Sequence, residues 1–213
     1  MLDGFEALRG VRRAMARSMT RARESVVPAT VTEEAAVTQW PPDVEVTLLT
    51  IEAVVSAAHA EPALNASFDG EREARRLNSK VDIGIAVDTP DGLIVPVLKT
   101  DVFRDRMSLR TELRRLIAGA TFRSLKREEL LAPTFTISNF GSLGGLFATL
   151  VVVPPQVAIL GIGRIRDKQS SAETPMRLLP LSLTFDHRAV TGGEAARFIT
   201  KVRVALENSG ETS

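Results

Sequence analysis

The chain has 213 residues, of which 44% are apolar and 25% charged, and its formal net charge is +1. That length is enough for one ordinary domain with a full core, and the near-neutral balance gives no electrostatic reason to expect nucleic acid or an anionic membrane as the main partner. With no Cys and two His, the sequence offers no thiol nucleophile and no Cys- or His-rich metal site, and the lack of Cys fits a cytoplasmic location.

In chain order, residues 8–23 read as an amphipathic helix. Leu8, Val11, Met15, Met19 and Ala22 share one face at steps of three and four. Arg9, Arg13, Arg17 and Arg21 form a second stripe, read as a solvated face, or else as a contact with the phosphates of an anionic cofactor or with a neighbouring subunit. Nothing here resembles the apolar core of a signal peptide. Residues 29–38 alternate enough for a strand, and Trp40-Pro41-Pro42 marks a loop. Residues 47–60 read as a helix with Leu48, Ile51, Val54, Val55 and Ala58 inward; His59, in its last turn, is read as structural or solvent-exposed.

Residues 69–76 form a charged hairpin tip or loop. Two strands follow, 81–87 and 93–98, divided by the turn signal Asp88-Thr89-Pro90-Asp91-Gly92. Ser108 is placed to cap a helix reaching Gly119, with Leu109, Leu113, Leu116 and Ile117 inward, and residues 125–131 add a short helical turn. Residues 151–162 hold two strand-like pieces around Pro154-Pro155, and residues 168–175 are a polar loop. The longest apolar run, 146–153, is far too short to span a bilayer. The closing helix, 193–206, turns Ala195, Phe198, Ile199, Val202 and Leu206 inward. A polar, disordered tail is expected over 208–213.

Two stretches carry chemistry. A strand over 176–185 stops at Asp186-His187-Arg188, and Gly192-Gly193 then open the last helix. This arrangement holds an imidazole at the mouth of a sheet. A lone, positioned His suits general acid–base work on a bound substrate, because its ordinary pKa near ~6.5 lets it take and return a proton. The plainer alternative is a His that caps a strand. The second stretch, residues 134–141, alternates as a strand and ends in a glycine-rich turn, 141–145; Ser138 and Asn139 are small polar groups in it, either turn formers or groups aimed into a site. No Gly-x-Ser-x-Gly elbow is present, and Asp186 is too close in sequence to His187 to serve as a triad acid.

Asp186-His187-Arg188-x-x-x-Gly192 resembles the Asp-His-Arg-x-x-Asp-Gly signature of the dihydrolipoyl acyltransferases, the core subunits of 2-oxoacid dehydrogenase complexes. The resemblance extends over nearly the whole chain. Residues 10–16 resemble the family's opening helix, residues 83–97 match a long family stretch almost residue for residue, and residues 136–139 match its Thr-x-Ser-Asn motif. Gly141-Ser142-Leu143-Gly144-Gly145 with Pro154-Pro155 is most similar to the branched-chain members. The chain departs from the family at two places. Thr191 stands where the family has Asp or Asn, and only a short connection joins residues 38 and 47, where relatives carry a helix.

The resemblance implies a chloramphenicol acetyltransferase-like fold of the α/β (α+β) class: a two-layer sandwich of mixed sheet and helices, with one acyltransferase catalytic domain over 1–207. It also implies acyl transfer between a dihydrolipoyl thiol and coenzyme A, without a metal. His187 would be the general base, its imidazole held by its own backbone carbonyl, and Ser138 the oxyanion donor. Asn139, Thr191, Arg188, Asp186 and Gly192 would support them. The family forms trimers with His from one subunit and Ser from the next, and takes its lipoyl group from a carrier domain. No lipoyl or peripheral-subunit-binding segment is seen in the sequence, so the carrier is expected in trans. The polar C-terminal residues suggest a trimer that does not assemble into a cage. Two other readings share the fold: a non-catalytic assembly subunit, and an acyltransferase with a different small-molecule acceptor.

Overall fold

The first strand and the last strand of the chain lie side by side along nearly their whole length. Strand β1 (Pro28–Ala36) pairs antiparallel with β10 (Met176–Asp186), from Pro28 opposite Asp186 to Ala36 opposite Leu178. The computed structural model describes residues 4–102, 105–168 and 175–209. The polar loop expected at 168–175 and the last four residues of the expected tail fall largely outside them.

Between β1 and β10 the chain builds a mixed sheet. Its order is β1-β10-β8-β7-β4-β5, with β8 (Ala158–Ile162), β7 (Phe135–Asn139), β4 (Asp82–Thr89) and β5 (Gly92–Ile94). β10 runs antiparallel to β8, whereas β8, β7 and β4 run parallel to one another. Two short strands lie off this path: β6 (Val97–Lys99) pairs with β4, and β9 (Arg166–Lys168) with β10. A separate hairpin joins β2 (Ala66–Asp69) to β3 (Ala74–Leu77). The expected second strand over 93–98 is thus two pieces. It breaks at Val95-Pro96, where proline has no N–H to give a ladder. Of the two pieces expected around Pro154-Pro155, only the second is a strand.

Alternation along β10 assigns its two faces. Leu179, Leu181, Leu183 and Phe185 enter the main core with α2 (Val46–Ala60) and α4 (Gly192–Asn208). Ser182 and Thr184 point the other way, yet both are fully buried. They accept from the backbone N–H groups of Ala148 (3.2 Å) and Leu150 (3.1 Å), so the apolar run at 146–153 lies across this second face.

Helix α4 buries the stripe expected of it, Ala195, Phe198, Ile199, Val202 and Leu206. Each such large side chain contributes about 1.5–3 kcal/mol when removed from water. Helix α2 is buried more widely than one stripe, since Leu49, Thr50, Ala53 and Ala57 are covered as well. Residues 37–45 contain turns and no helix, and Trp40, 3% exposed, donates from Nε1 to the carbonyl of Leu206 at 3.2 Å. This indole seals the C-terminal end of α4 beside the shortened connection.

Three further expectations are corrected. Helix α1 runs Gly10–Ser25, so Leu8 precedes it and is exposed, because α1 first meets the body at Val11, packed over Gly92. Helix α3 (Arg106–Phe122) is capped by Asp105, which accepts from the backbone N–H of Ser108 at 2.7 Å; Ser108 is already inside the helix. Asn208 is the last residue of α4 and not the start of a tail, since Glu207 accepts from the backbone N–H of Ala36 (3.0 Å) and from Arg203 (2.7 Å).

Candidate active site

His187 sits just past β10, where the strand turns into α4. Its backbone N–H donates to the carbonyl of Val27 at 2.8 Å, and its exposed ring lies 5.5 Å from that of Phe185. The turn closes on itself: the N–H groups of Ala189 and Val190 both donate to the carbonyl of Asp186, each at 3.0 Å.

Asp186 does not face the imidazole. It is 2% exposed, and its carboxylate accepts from Arg188 Nε (3.0 Å) and Nη2 (2.6 Å), from the Arg188 backbone N–H (3.2 Å) and from that of Val27 (3.3 Å). Burial acts to raise its pKa, but the Arg188 hydrogen bonds and charge with the two backbone donors outweigh it, and the carboxyl is held below the ordinary range. The Asp186–Arg188 pair, its carboxylate buried and its guanidinium partly exposed, is therefore a strut under the turn. Arg188 also donates to the carbonyl of Ser25, at the end of α1, and its guanidinium lies 4.9 Å from the centre of the Phe68 ring. These groups border a cleft of about 490 Å³, which Gln156 and Pro154 line from the other side.

Thr191 is the N-cap of α4. Its Oγ1 accepts from the N–H of Glu194 (3.2 Å), and the Glu194 carboxylate accepts from the Thr191 N–H (2.8 Å). This reciprocal capping box leaves the loop well held with an uncharged residue at position 191. Sequence reasoning passed over Glu194, although Thr191-x-x-Glu194 carries the signal for it. Gly192 opens the helix, and a Cβ built there meets nothing within 4 Å, so packing inside this chain does not demand glycine.

Ser138 and Asn139 end β7. Asn139 Nδ2 donates to Thr47 Oγ1 at 3.1 Å, tying the strand end to the first turn of α2. Beyond it the chain crosses itself at glycine: a Cβ on Gly141 would fall 2.3 Å from the backbone carbonyl of Gly163. Ser138 is half-buried, on the face opposite the core residue Ile137.

The sheet does not bring Ser138 and His187 together. Ser138 is level with Gly161, which is level with Ser182, five residues before His187. Two strand spacings across and five residues along put the two on the order of 19 Å apart. They also lie at opposite ends of the sheet, because β10 runs against β7 and β8.

The model of the 2-oxoacid dehydrogenases acyltransferase (catalytic domain) family matches residues 4–212. The chain belongs to that family. It is 39% identical over 163 residues to the dihydrolipoyllysine-residue acetyltransferase component of the pyruvate dehydrogenase complex of Acholeplasma laidlawii, covering 74% of this chain and 29% of that protein. It is 38% identical over 167 residues to the lipoamide acyltransferase component of the branched-chain alpha-keto acid dehydrogenase complex of Pseudomonas aeruginosa, covering 74% and 38%. The chain thus spans less than half of the length of either curated relative.

The crystal structure of the Azotobacter vinelandii dihydrolipoamide acetyltransferase superposes with a TM-score of 0.87 at 29% identity, covering 96% of this chain and 92% of that one. In that enzyme a serine, a histidine and an asparagine are implicated in the catalytic mechanism, and the asparagine follows the histidine at the spacing at which Thr191 follows His187. A chloramphenicol acetyltransferase shares the fold, with a TM-score of 0.59 over 89% of this chain at 15% identity.

Proposed function

We propose that this domain transfers an acyl group between the thiol of a dihydrolipoyl carrier and that of coenzyme A, at sites each shared by two subunits of a trimer. One observation carries the reading. The two groups the chemistry needs, an accessible imidazole and a hydroxyl in a strand end, lie too far apart in one chain to act on one substrate, which a site between neighbouring subunits resolves. The family relation supports the reaction class.

The steps follow from elementary acid–base chemistry. A thiol is mostly protonated at neutral pH, so a ring nitrogen of His187 takes its proton as the sulfur attacks the thioester carbonyl. The carbonyl oxygen becomes anionic, and the Ser138 hydroxyl of the neighbouring subunit donates to it. One such donor contributes on the order of 3 kcal/mol, since it acts on charge that exists only near the transition state. Collapse breaks the original carbon–sulfur bond, and the imidazolium returns its proton to the departing sulfur. Asp186 relays nothing in this scheme, because Arg188 occupies its carboxylate.

The test is acyl transfer from a short acyl-CoA to free dihydrolipoamide, with His187→Ala beside the wild type. Turnover lost in the variant supports the reading. A folded, trimeric wild type without turnover on any short straight or branched acyl-CoA overturns it.

A further inference from the structure

The β2–β3 hairpin stands apart from the main sheet. It touches the chain before β8 through the bridge between Ser67 and Gln156 and through the Phe68 N–H, which donates to the carbonyl of Pro155 at 2.9 Å. Phe68 and Arg75 face each other across the hairpin as one rung. From that rung, two side chains reach the turn that carries His187, Phe68 at Arg188 and Arg75 at Ala189. The Phe68 ring lies against Arg188, and Arg75 Nη1 donates to the carbonyl of Ala189 at 2.5 Å. Arg75 also lies 3.5 Å from Glu194 Oε1, while Glu194 Oε2 accepts from the Thr191 N–H and hydroxyl at 2.8 and 3.0 Å.

Two backbone groups of the turn, the Ala189 carbonyl and the Thr191 N–H, point away from its internal hydrogen bonds. Arg75 and Glu194 satisfy them. The imidazole itself is exposed, so its aim is inherited from the backbone that carries it. We propose that Arg75 and Glu194 are positioning residues for His187: the hairpin rung and the capping carboxylate together fix the turn 187–191 in the geometry that presents the imidazole to substrate. The inference rests on the reading of His187 as the base. The charges are matched to the task, since Arg75 Nη1 reaches both the Ala189 carbonyl and the Glu194 carboxylate.

The chain has two histidines, so both ring environments can be followed by nitrogen NMR of histidine-labelled protein, with His187→Ala making the assignment and exposed His59 as internal reference. In Arg75→Ala and Glu194→Ala, the His187 ring-nitrogen signals are expected to shift while those of His59 stay in place. The kcat for acyl transfer is expected to fall about 10- to 100-fold with KM for either thiol little changed. Arg75→Lys, which keeps the charge and loses the planar guanidinium, restores only part of both. Unchanged His187 ring signals in both variants, with kcat falling only as the folded fraction falls, would assign these residues to stability alone and overturn the proposal. A wild type without turnover counts against the acyltransferase reading; the NMR result still decides whether Arg75 and Glu194 set the imidazole.

Discussion

His187 and Ser138 lie at opposite ends of one sheet and two strand spacings apart, with β8 between β10, which leads into His187, and β7, which carries Ser138. The rungs that connect them make the separation a consequence of register, and no side-chain rotation closes it. A Ser138→Ala variant should therefore fold normally and fail chemically. Loss of an oxyanion donor lowers kcat by about 10²- to 10³-fold, with KM for coenzyme A little changed. Steady-state kinetics beside a thermal unfolding curve checks this. A rise in KM with kcat intact would instead make Ser138 a binding group.

The turn at His187 also sets how the protein meets acid. Burial opposes ionisation of both Asp186 and Glu194, but Arg188 with backbone donors holds the first below the ordinary range, and Thr191 with Arg75 does so for the second. Because the folded pKa values are depressed, the stability these groups contribute is complete above the ordinary carboxylate range. It disappears as pH falls through that range toward the folded values. Urea unfolding followed from about pH 7 to about pH 3 should show a decline that is shallower in Asp186→Asn, which starts less stable. Parallel declines in the two proteins would contradict the depressed pKa of Asp186.

Trp40 tests the shortened connection between β1 and α2. Its ring is buried, its Nε1 donates to Leu206, and Arg177 Nη1 donates to its carbonyl at 2.8 Å. Trp40→Phe keeps much of the volume and loses the indole donor, at a cost of about 1 kcal/mol. Trp40→Ala leaves a cavity at the end of α4 and costs about 3–5 kcal/mol. Denaturant unfolding separates the two, and near-equal costs would mean that the indole ring is not packed.

Much of this was legible because the signals are local. The strand-to-helix transition at His187 shows in the end of an apolar run and in the glycines that follow, and the buried face of α4 follows from its spacing alone. The hairpin clamp did not show. In sequence, Arg75 is one charge in a run of charges, and its contact with Ala189 spans a separation that no periodicity reports. Asp105 was passed over as a cap for Ser108, since both residue types suit the position and only the backbone decides between them. The break of the second strand at Pro96 was readable, but the run of apolar residues around it masked the missing donor. Ser138 and His187 were each found by their local setting; their separation depended on the order and direction of β10, β8 and β7.

The most direct test of a shared site mixes two inactive proteins. His187→Ala and Ser138→Ala are each purified, unfolded together in equal amounts and refolded, so that subunits assort at random. If each site takes His187 from one subunit and Ser138 from its neighbour, about one site in four draws both from intact sources, and close to a quarter of wild-type activity should return. Refolded mixtures that form mixed oligomers yet remain as inactive as either parent would contradict a site built across the boundary.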